Sequence, residues 1–355
     1  MNLFDGKRIL ITGGTGSLGR VLVRRLLSGE MGDPERIIVF SRDEAKQHYM
    51  RLEYQKLSVA TDEVIYRNFL QKVQFVIGDV RDYHSICSIL RDVNVVFNAA
   101  ALKQVPTCEY FPFEAVQTNI SGPNNIVRAL REHSFPVETV IGISTDKACK
   151  PVNVMGMTKA IQERLFISAN LYIPDTRFIC VRYGNVLASR GSVIPLFHHQ
   201  IKSGGPVTIT TMEMTRFLLS IDEAVDTIFT AIREAARGET YIPKAPSAKI
   251  IDIAKCLIED RFIEIKEIGI RPGEKVHEIL ISEEECHRVV ERERFYVLRP
   301  ILPELGGQVS SQSEKVWEYS SANNNLGMSE LYKLLQRHNL LIENDDSSEN
   351  KELLR

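Results

Sequence analysis

Short, continuous apolar runs alternate with amphipathic stretches through the first half of the chain. Arg8–Thr12 is an apolar run that ends in glycines and reads as a first buried strand. After it Leu18, Val21, Leu22, Leu26 and Leu27 recur at helical spacing. Ile37–Phe40, Val73–Ile77, Val95–Asn98, Thr139–Ser144 and Phe178–Tyr183 read as the second to sixth strands. The stretches between them, rich in Glu, Lys, Arg, Gln and Leu, read as helices. A strand that is apolar throughout is buried on both faces. The pattern therefore predicts an α/β fold: a doubly wound Rossmann parallel sheet with helices on both sides.

Beyond Gly184 the alternation loosens. Gly204-Gly205-Pro206 reads as a turn and Val207–Thr210 as a strand. Ile221–Ala236 and Ile250–Ile258 read as helices, and Ile268-Gly269-Ile270 as a short strand. We expect residues 1–185 to form the dinucleotide domain, with the Ile221–Ala236 region packing back on it. Residues 186–340 are expected to form mainly a smaller α/β substrate lobe closing over the sheet's carboxyl edge. The polar stretch 343–355 is expected to be a disordered tail.

Composition narrows the classes. The chain has 355 residues and a formal net charge of -2, with no long basic run, so nucleic acid and anionic membrane are poor partners. Its six cysteines, Cys87, Cys108, Cys149, Cys180, Cys256 and Cys286, show neither CxxC nor a metal spacing. Dispersed thiols fit a reducing cytoplasm. The adjacent pair His198-His199 lacks the spacing of metal ligands, so no metal is expected. No apolar run reaches the roughly 18 residues of a membrane-spanning helix, and no signal peptide opens the chain. A cytoplasmic protein is expected.

Gly13, Gly16 and Gly19 are spaced GxxGxxG between the first strand and the first helix. Such glycines allow a tight turn, close approach of main chain to a pyrophosphate, and a helix N-terminus aimed at phosphate. Alone the pattern is weak, but its place between strand and helix favours a dinucleotide site built from Gly13, Thr15, Gly16, Ser17, Leu18 and Gly19. The second strand ends at Ser41 and Arg42, with Lys46 a turn later. These suit a ribose 2′-phosphate and favour NADP over NAD. The other reading gives the 2′-OH to Asp43 and leaves Arg42 solvated. Asp79 and Val80 after the third strand, and Ala99 and Ala100 after the fourth, are further cofactor contacts.

Ser144-Thr145-Asp146-Lys147 ends the fifth strand, at the edge where such sheets bind ligands. Met155 and Lys159 share one helix face just beyond. These residues, with the Gly13–Gly19 loop and Asn98–Ala101, match the short-chain dehydrogenase/reductase pattern. The stretches Ala99–Pro106, Ser144–Ala148, Arg182–Val186, Ser189–Val193 and Arg271–Lys275 are more specific. In them the chain resembles the UDP-N-acetylglucosamine 4,6-dehydratases of the polysaccharide-biosynthesis type, extended short-chain dehydrogenases/reductases, from roughly Phe4 to Glu285. One departure stands out: Met155 occupies the place of the usual tyrosine, as in a subset of these dehydratases, and methionine cannot exchange a proton.

The resemblance implies an NADP-dependent lyase acting in three stages. Sugar C4 is oxidised, water is lost across C5 and C6, and the hydride returns to C6, giving a 4-keto-6-deoxy sugar. In this reading Lys159 bonds the nicotinamide ribose and Thr145 relays the C4 hydroxyl proton. Lys147 is the base at C5, and burial with the nearby Lys159 charge is expected to depress its pKa. Asp146 is the protonated acid at C6. A direct Lys–Asp pair would keep both charged, so these demands conflict. Arg190, Arg216 and Arg271 are candidates for the diphosphate, with Asn185 as amide donor. Lys103, Asn119 and Glu274 complete the expected substrate set, and a homo-oligomer is expected.

Blander readings stand beside this one. Asp146 and Lys147 suit a loop ion pair, and Met155 suits packing. A nucleotide-sugar 4-epimerase or ketoreductase is the enzyme alternative, and a non-catalytic NADP-sensing module is the other.

Overall fold

The computed structural model describes residues 2–56, 63–187, 192–306 and 318–342. The tail expected at 343–355 lies outside them, as does Arg190. In chain order the strands are β1 (Arg8–Thr12), β2 (Arg36–Ser41), β3 (Val73–Ile77), β4 (Val95–Asn98), β5 (Thr139–Thr145), β6 (Arg177–Tyr183), β7 (Val207–Ile209), β8 (Thr215–Phe217), β9 (Thr240–Pro243), β10 (Ser247–Lys249), β11 (Ile265–Glu267), β12 (Ile279–Ile281), β13 (Val289–Arg292), β14 (Phe295–Leu298) and β15 (Tyr319–Ser320). The helices are α1 (Ser17–Leu27), α2 (Glu44–Lys56), α3 (Glu63–Lys72), α4 (Tyr83–Leu90), α5 (Val105–Tyr110), α6 (Pro112–Val116), α7 (Gly122–Glu132), α8 (Val154–Ala169), α9 (Val193–Lys202), α10 (Ile221–Glu234), α11 (Ile250–Ile258), α12 (Pro303–Gly306) and α13 (Met328–Arg337).

Nine strands form one sheet in the order β13-β14-β9-β6-β5-β4-β1-β2-β3. Pairing is parallel from β3 across to β9, and the β14–β13 hairpin adds two antiparallel strands at the far edge. Strand order reverses between β1 and β4, so a ligand crevice opens beyond their carboxyl ends.

Alternation along β1 explains why the strands are apolar throughout. Ile9 and Ile11 enter one core layer with Leu22 and Leu26 of α1 and Ile228 of α10. Leu10 enters the opposite layer with Ile126 of α7 and Phe166 of α8. Each such buried side chain stabilises the fold by about 1.5–3 kcal/mol. The Ile221–Glu234 helix is started by a reciprocal Ser220–Glu223 capping box and packs on α1.

A third core joins Phe197 of α9, Ile209 of β7, Leu257 of α11 and Leu331 of α13. Beyond the main sheet β10 pairs with β8, β11 with β7, and β12 with β15. Two placements differ from the sequence pattern. β9, β13 and β14 come from the second half yet extend the main sheet. The strand expected at Ile268–Ile270 lies instead at Ile265–Glu267, in register with β7. Ile268 and Gly269 follow it as irregular chain, donating to the Ile209 and Thr210 carbonyls.

Candidate active site

The glycine loop forms a cradle with no room for side chains. Gly13 has φ +67°, and a Cβ on it would stand 2.8 Å from the Ala100 Cα. Its N–H donates to the Phe40 carbonyl at 2.8 Å, fixing the turn between β1 and α1. Gly16 caps α1 without a side-chain bond, so no side chain occupies the first N–H groups of that helix, at Ser17, Leu18 and Gly19. Thr12 Oγ1 meets Asn98 Oδ1 at 3.1 Å and accepts from the Ala100 N–H at 3.2 Å, which ties the Ala99–Ala100 turn to the loop. A dinucleotide fits this set: bare main chain, a helix N-terminus and a switch point coincide.

At the tip of β2 the Ser41 hydroxyl lies 3.2 Å from Thr15 Oγ1 and accepts from the Asp43 N–H. Lys46 pairs with Asp43, and an Arg42 Nη stands 3.7 Å from Asp79 Oδ2. Asp79 is also held by Arg81, through the main-chain N–H at 3.0 Å and Nε at 2.9 Å. Burial raises the Asp79 pKa, but the Arg81 contacts outweigh it, so the carboxylate sits below its ordinary range. Cations and carboxylates are thus interleaved here. Val80 is buried in the layer behind.

The end of β5 turns into a short 3-10 segment at Asp146–Ala148. Asp146 is fully buried. Its Oδ1 accepts from the Thr145 hydroxyl at 2.9 Å and from Lys147 Nζ at 3.0 Å, while Oδ2 has no partner. Lys147 Nζ also lies 3.1 Å from Oε1 of the buried Glu278. Burial raises the Asp146 pKa and Lys147 only partly opposes it, so the carboxyl sits above its ordinary range. Lys147 corrects the expectation of a depressed amine. Burial does pull its pKa down, but Asp146 and Glu278 together outweigh burial and raise it. Glu278 is pushed up by burial but held below its ordinary range by Lys147 and Arg216.

Helix α8 is locked onto this turn. A Cβ on Gly156 would stand 2.2 Å from the Lys147 carbonyl oxygen, so only glycine lets the helix approach. Asn153 caps α8 by accepting from the Gly156 N–H at 2.8 Å, and its amide donates to the Gly273 carbonyl at 2.7 Å. Buried Lys159 donates to the Ile143 carbonyl and to Gln162 Oε1, both at 2.9 Å. Burial lowers its pKa to about 8. Two of its three N–H donors are therefore engaged within the protein. Met155 is buried with Cys108 and Ala115 and does packing work in the place of a phenol.

The expected substrate residues separate. Asn119, in a π-turn at Gln117–Ser121, is fully buried and bonds the Leu102 N–H, the Leu102 carbonyl and Thr158 Oγ1. Both its amide hydrogens are used, which corrects its assignment to the sugar: it shapes the loop that carries exposed Lys103. Glu274 likewise braces its own loop, accepting from the Arg271 N–H and Thr210 Oγ1. Arg271 is exposed at that turn. Arg216 is buried, donates to the Thr215, Val276 and Lys275 carbonyls, and has Nε 3.9 Å from Glu278. Asn185 Oδ1 is buried without a partner.

Glu278 is the site residue the sequence reading missed. It follows Arg271–Lys275 by only three positions, and an acid directly before the apolar run Ile279–Ile281 was the available signal. A second missed group lies beneath the site. Arg182 bonds Glu163 at 2.7 Å and Glu285 at 2.8 Å, and Glu163 accepts from the Ser144 hydroxyl.

Known proteins resemble the chain along most of its length. Residues 9–300 match the family described as polysaccharide biosynthesis protein. An uncharacterized membrane protein of Methanocaldococcus jannaschii is 46% identical over 84% of this chain and 87% of its own length. Among the described residues no helix is long and apolar enough to cross a membrane. A UDP-glucose 4-epimerase of Rickettsia bellii is 44% identical over 83% of each chain. The solved structure of Pen from Bacillus thuringiensis is 34% identical and superposes with TM-score 0.83 over 95% of this chain and 99% of that one. With its doubly wound sheet of the extended short-chain dehydrogenase/reductase type, the chain belongs to the polysaccharide biosynthesis protein family.

Proposed function

We propose that this protein is an NADP-dependent UDP-N-acetylglucosamine 4,6-dehydratase. The observation that carries the reading is the carboxyl of Asp146, buried at the carboxyl edge of the sheet and touching Thr145 and Lys147, with burial raising its pKa. A hydroxide leaving from C6 needs such an acid. A site that only oxidises and re-reduces C4 needs a proton-exchanging group, and Met155 supplies none. Held by the Gly13–Gly19 loop, a nicotinamide cofactor would supply the hydride acceptor at C4 and the hydride donor at C6. Thr145 hydrogen-bonds the C4 hydroxyl and relays its proton, and C5 takes one proton back when the hydride returns at C6. Lys147 takes the C5 proton once it has given up its own, and Asp146 delivers a proton to the departing hydroxyl.

Ser41, Arg42 and Lys46 support NADP. Arg216, Arg271 and Asn185 remain the candidates for the UDP-sugar. Exposed Tyr110, Phe111 and Phe113 support a homo-oligomer, since an apolar patch of this kind marks association surfaces. Free thiols at all six cysteines support a cytoplasmic setting.

The epimerase reading is favoured by the name of the Rickettsia relative, 44% identical. Incubation with UDP-N-acetylglucosamine and with UDP-glucose separates the two. We expect a product lighter by one water and a 4-keto carbon in its NMR spectrum. A product of unchanged mass with inverted C4 would establish the epimerase instead. Asp146→Asn is expected to lower kcat by about 100-fold or more, with cofactor and UDP-sugar affinity little changed.

A further inference from the structure

Lys147 touches two buried carboxylates, and the two are not alike. Asp146 receives hydrogen bonds from Lys147 and Thr145 on one oxygen and none on the other. Glu278, also with one unpartnered oxygen, has Lys147 at 3.1 Å and the Arg216 guanidinium at 3.9 Å. Lys275 adds a further cation on the Glu278 side while its Nζ is bonded to the Cys149 carbonyl. His277 is turned away into a bond with Thr215 Oγ1. Among the described residues these are the charged groups that face the cluster.

We propose that Glu278 is a positioning residue: it serves as the standing counter-ion of Lys147 and thereby releases Asp146 to carry the proton used at C6. This rests on the dehydratase reading for its catalytic consequence, but not for its electrostatic one. A buried lysine beside a single carboxylate forms an ion pair, and both members stay charged. A second carboxylate on the same ammonium changes the count. Two anions meeting on one ammonium repel each other, which raises the proton affinity of the less well-paired one. That one is Asp146, because Arg216 and Lys275 stand on the Glu278 side and favour its anion as Lys147 does.

The same contact lets Lys147 become a base. Its proton moves transiently and uphill along the 3.1 Å contact to Glu278, whose resting form stays anionic, leaving a neutral amine beside protonated Asp146. The C5–H bond then breaks, with its proton going to Lys147 and its electron pair forming the C5–C6 double bond. The C6–O bond breaks as Asp146 donates, and water leaves. Glu278 returns its proton through Lys147 to Asp146. One proton enters from C5 and one leaves in water, which restores the cluster, and the proton released from the C4 hydroxyl balances the one C5 regains when the hydride returns to C6.

The test uses Glu278→Gln, Glu278→Asp and Asp146→Asn in the full chain. Infrared difference spectra of the ligand-free protein read the protonated-carboxyl band that Asp146→Asn removes. In Glu278→Gln its midpoint should fall by about one pH unit or more, a tenfold change in proton affinity. Glu278→Asp, which keeps the charge, should stay near wild type and controls for misfolding. Turnover should follow: activity is lost as pH rises through the Asp146 midpoint, and in Glu278→Gln that limb moves to lower pH. At neutral pH elimination should drop about tenfold or more, while reduction of bound cofactor at the first step and KM stay within about twofold. An unmoved band in a folded Glu278→Gln protein overturns the proposal. A moved band with no dehydrated product from wild type would leave the counter-ion role standing and sink the dehydratase reading.

Discussion

Lys159 is a buried lysine whose hydrogen-bond partners are a carbonyl and an amide oxygen rather than a carboxylate. Its cation is therefore held at a cost. The unfolded chain keeps this proton to about 10.5, the folded chain only to about 8. Between these values the unfolded state binds more protons, so this residue's contribution to stability rises with pH across that window. Lys159→Met should be more stable than wild type at pH 7 by roughly 1–3 kcal/mol in chemical denaturation. The advantage should vanish as pH approaches 10.5, and turnover should be lost throughout. Residues such as Gly13, Asp146 and Lys147 were legible because their meaning is local: a turn, or the end of a strand. The ionisation of Lys147 was not. Its second carboxylate comes from a distant stretch, and only burial, Lys159 and a pair with Asp146 could be weighed from the sequence.

At the level of elements, the decisive contact is the docking of α8 on the turn that carries Asp146 and Lys147. Gly156→Ala forces a methyl to within 2.2 Å of the Lys147 carbonyl, so helix or turn must move. We expect a loss of about 1–3 kcal/mol in stability and a larger loss in kcat than in cofactor affinity, read by thermal melts beside kinetics. The long helices and the central strands were visible in their apolar periods. Ile268–Ile270 shows where that signal fails. It is apolar, but the short strand forms at Ile265–Glu267 because β7 is the available partner there. The π-turn around Asn119 was equally hidden, since no side-chain period marks one extra residue in a helix.

Across the molecule, Arg182 acts as a buried rivet. It sits on β6, bonds Glu163 of α8, and reaches Glu285 from beyond β12. Burial pushes the Glu285 pKa up, but Arg182 overrides it and holds the carboxyl down to about 2. Its stabilising effect is present above the ordinary carboxylate range and is lost as pH falls toward 2. Glu285→Gln should cost about 3–5 kcal/mol near neutrality, and the gap from wild type should close in acid unfolding between pH 5 and 2. Sequence patterning revealed the layered sheet but not this joint, because Glu163 and Glu285 lie in locally plain runs and nothing in the Arg182–Val186 stretch names its partners.

Glu285 of this joint and Glu278 belong to the same late stretch of chain. A ribosome therefore releases the nucleotide cradle and the Asp146–Lys147 turn well before their outer carboxylates are made. On the proposed roles, the lysine and aspartate would have only each other until that stretch folds back, and turnover would wait for completion of the fold.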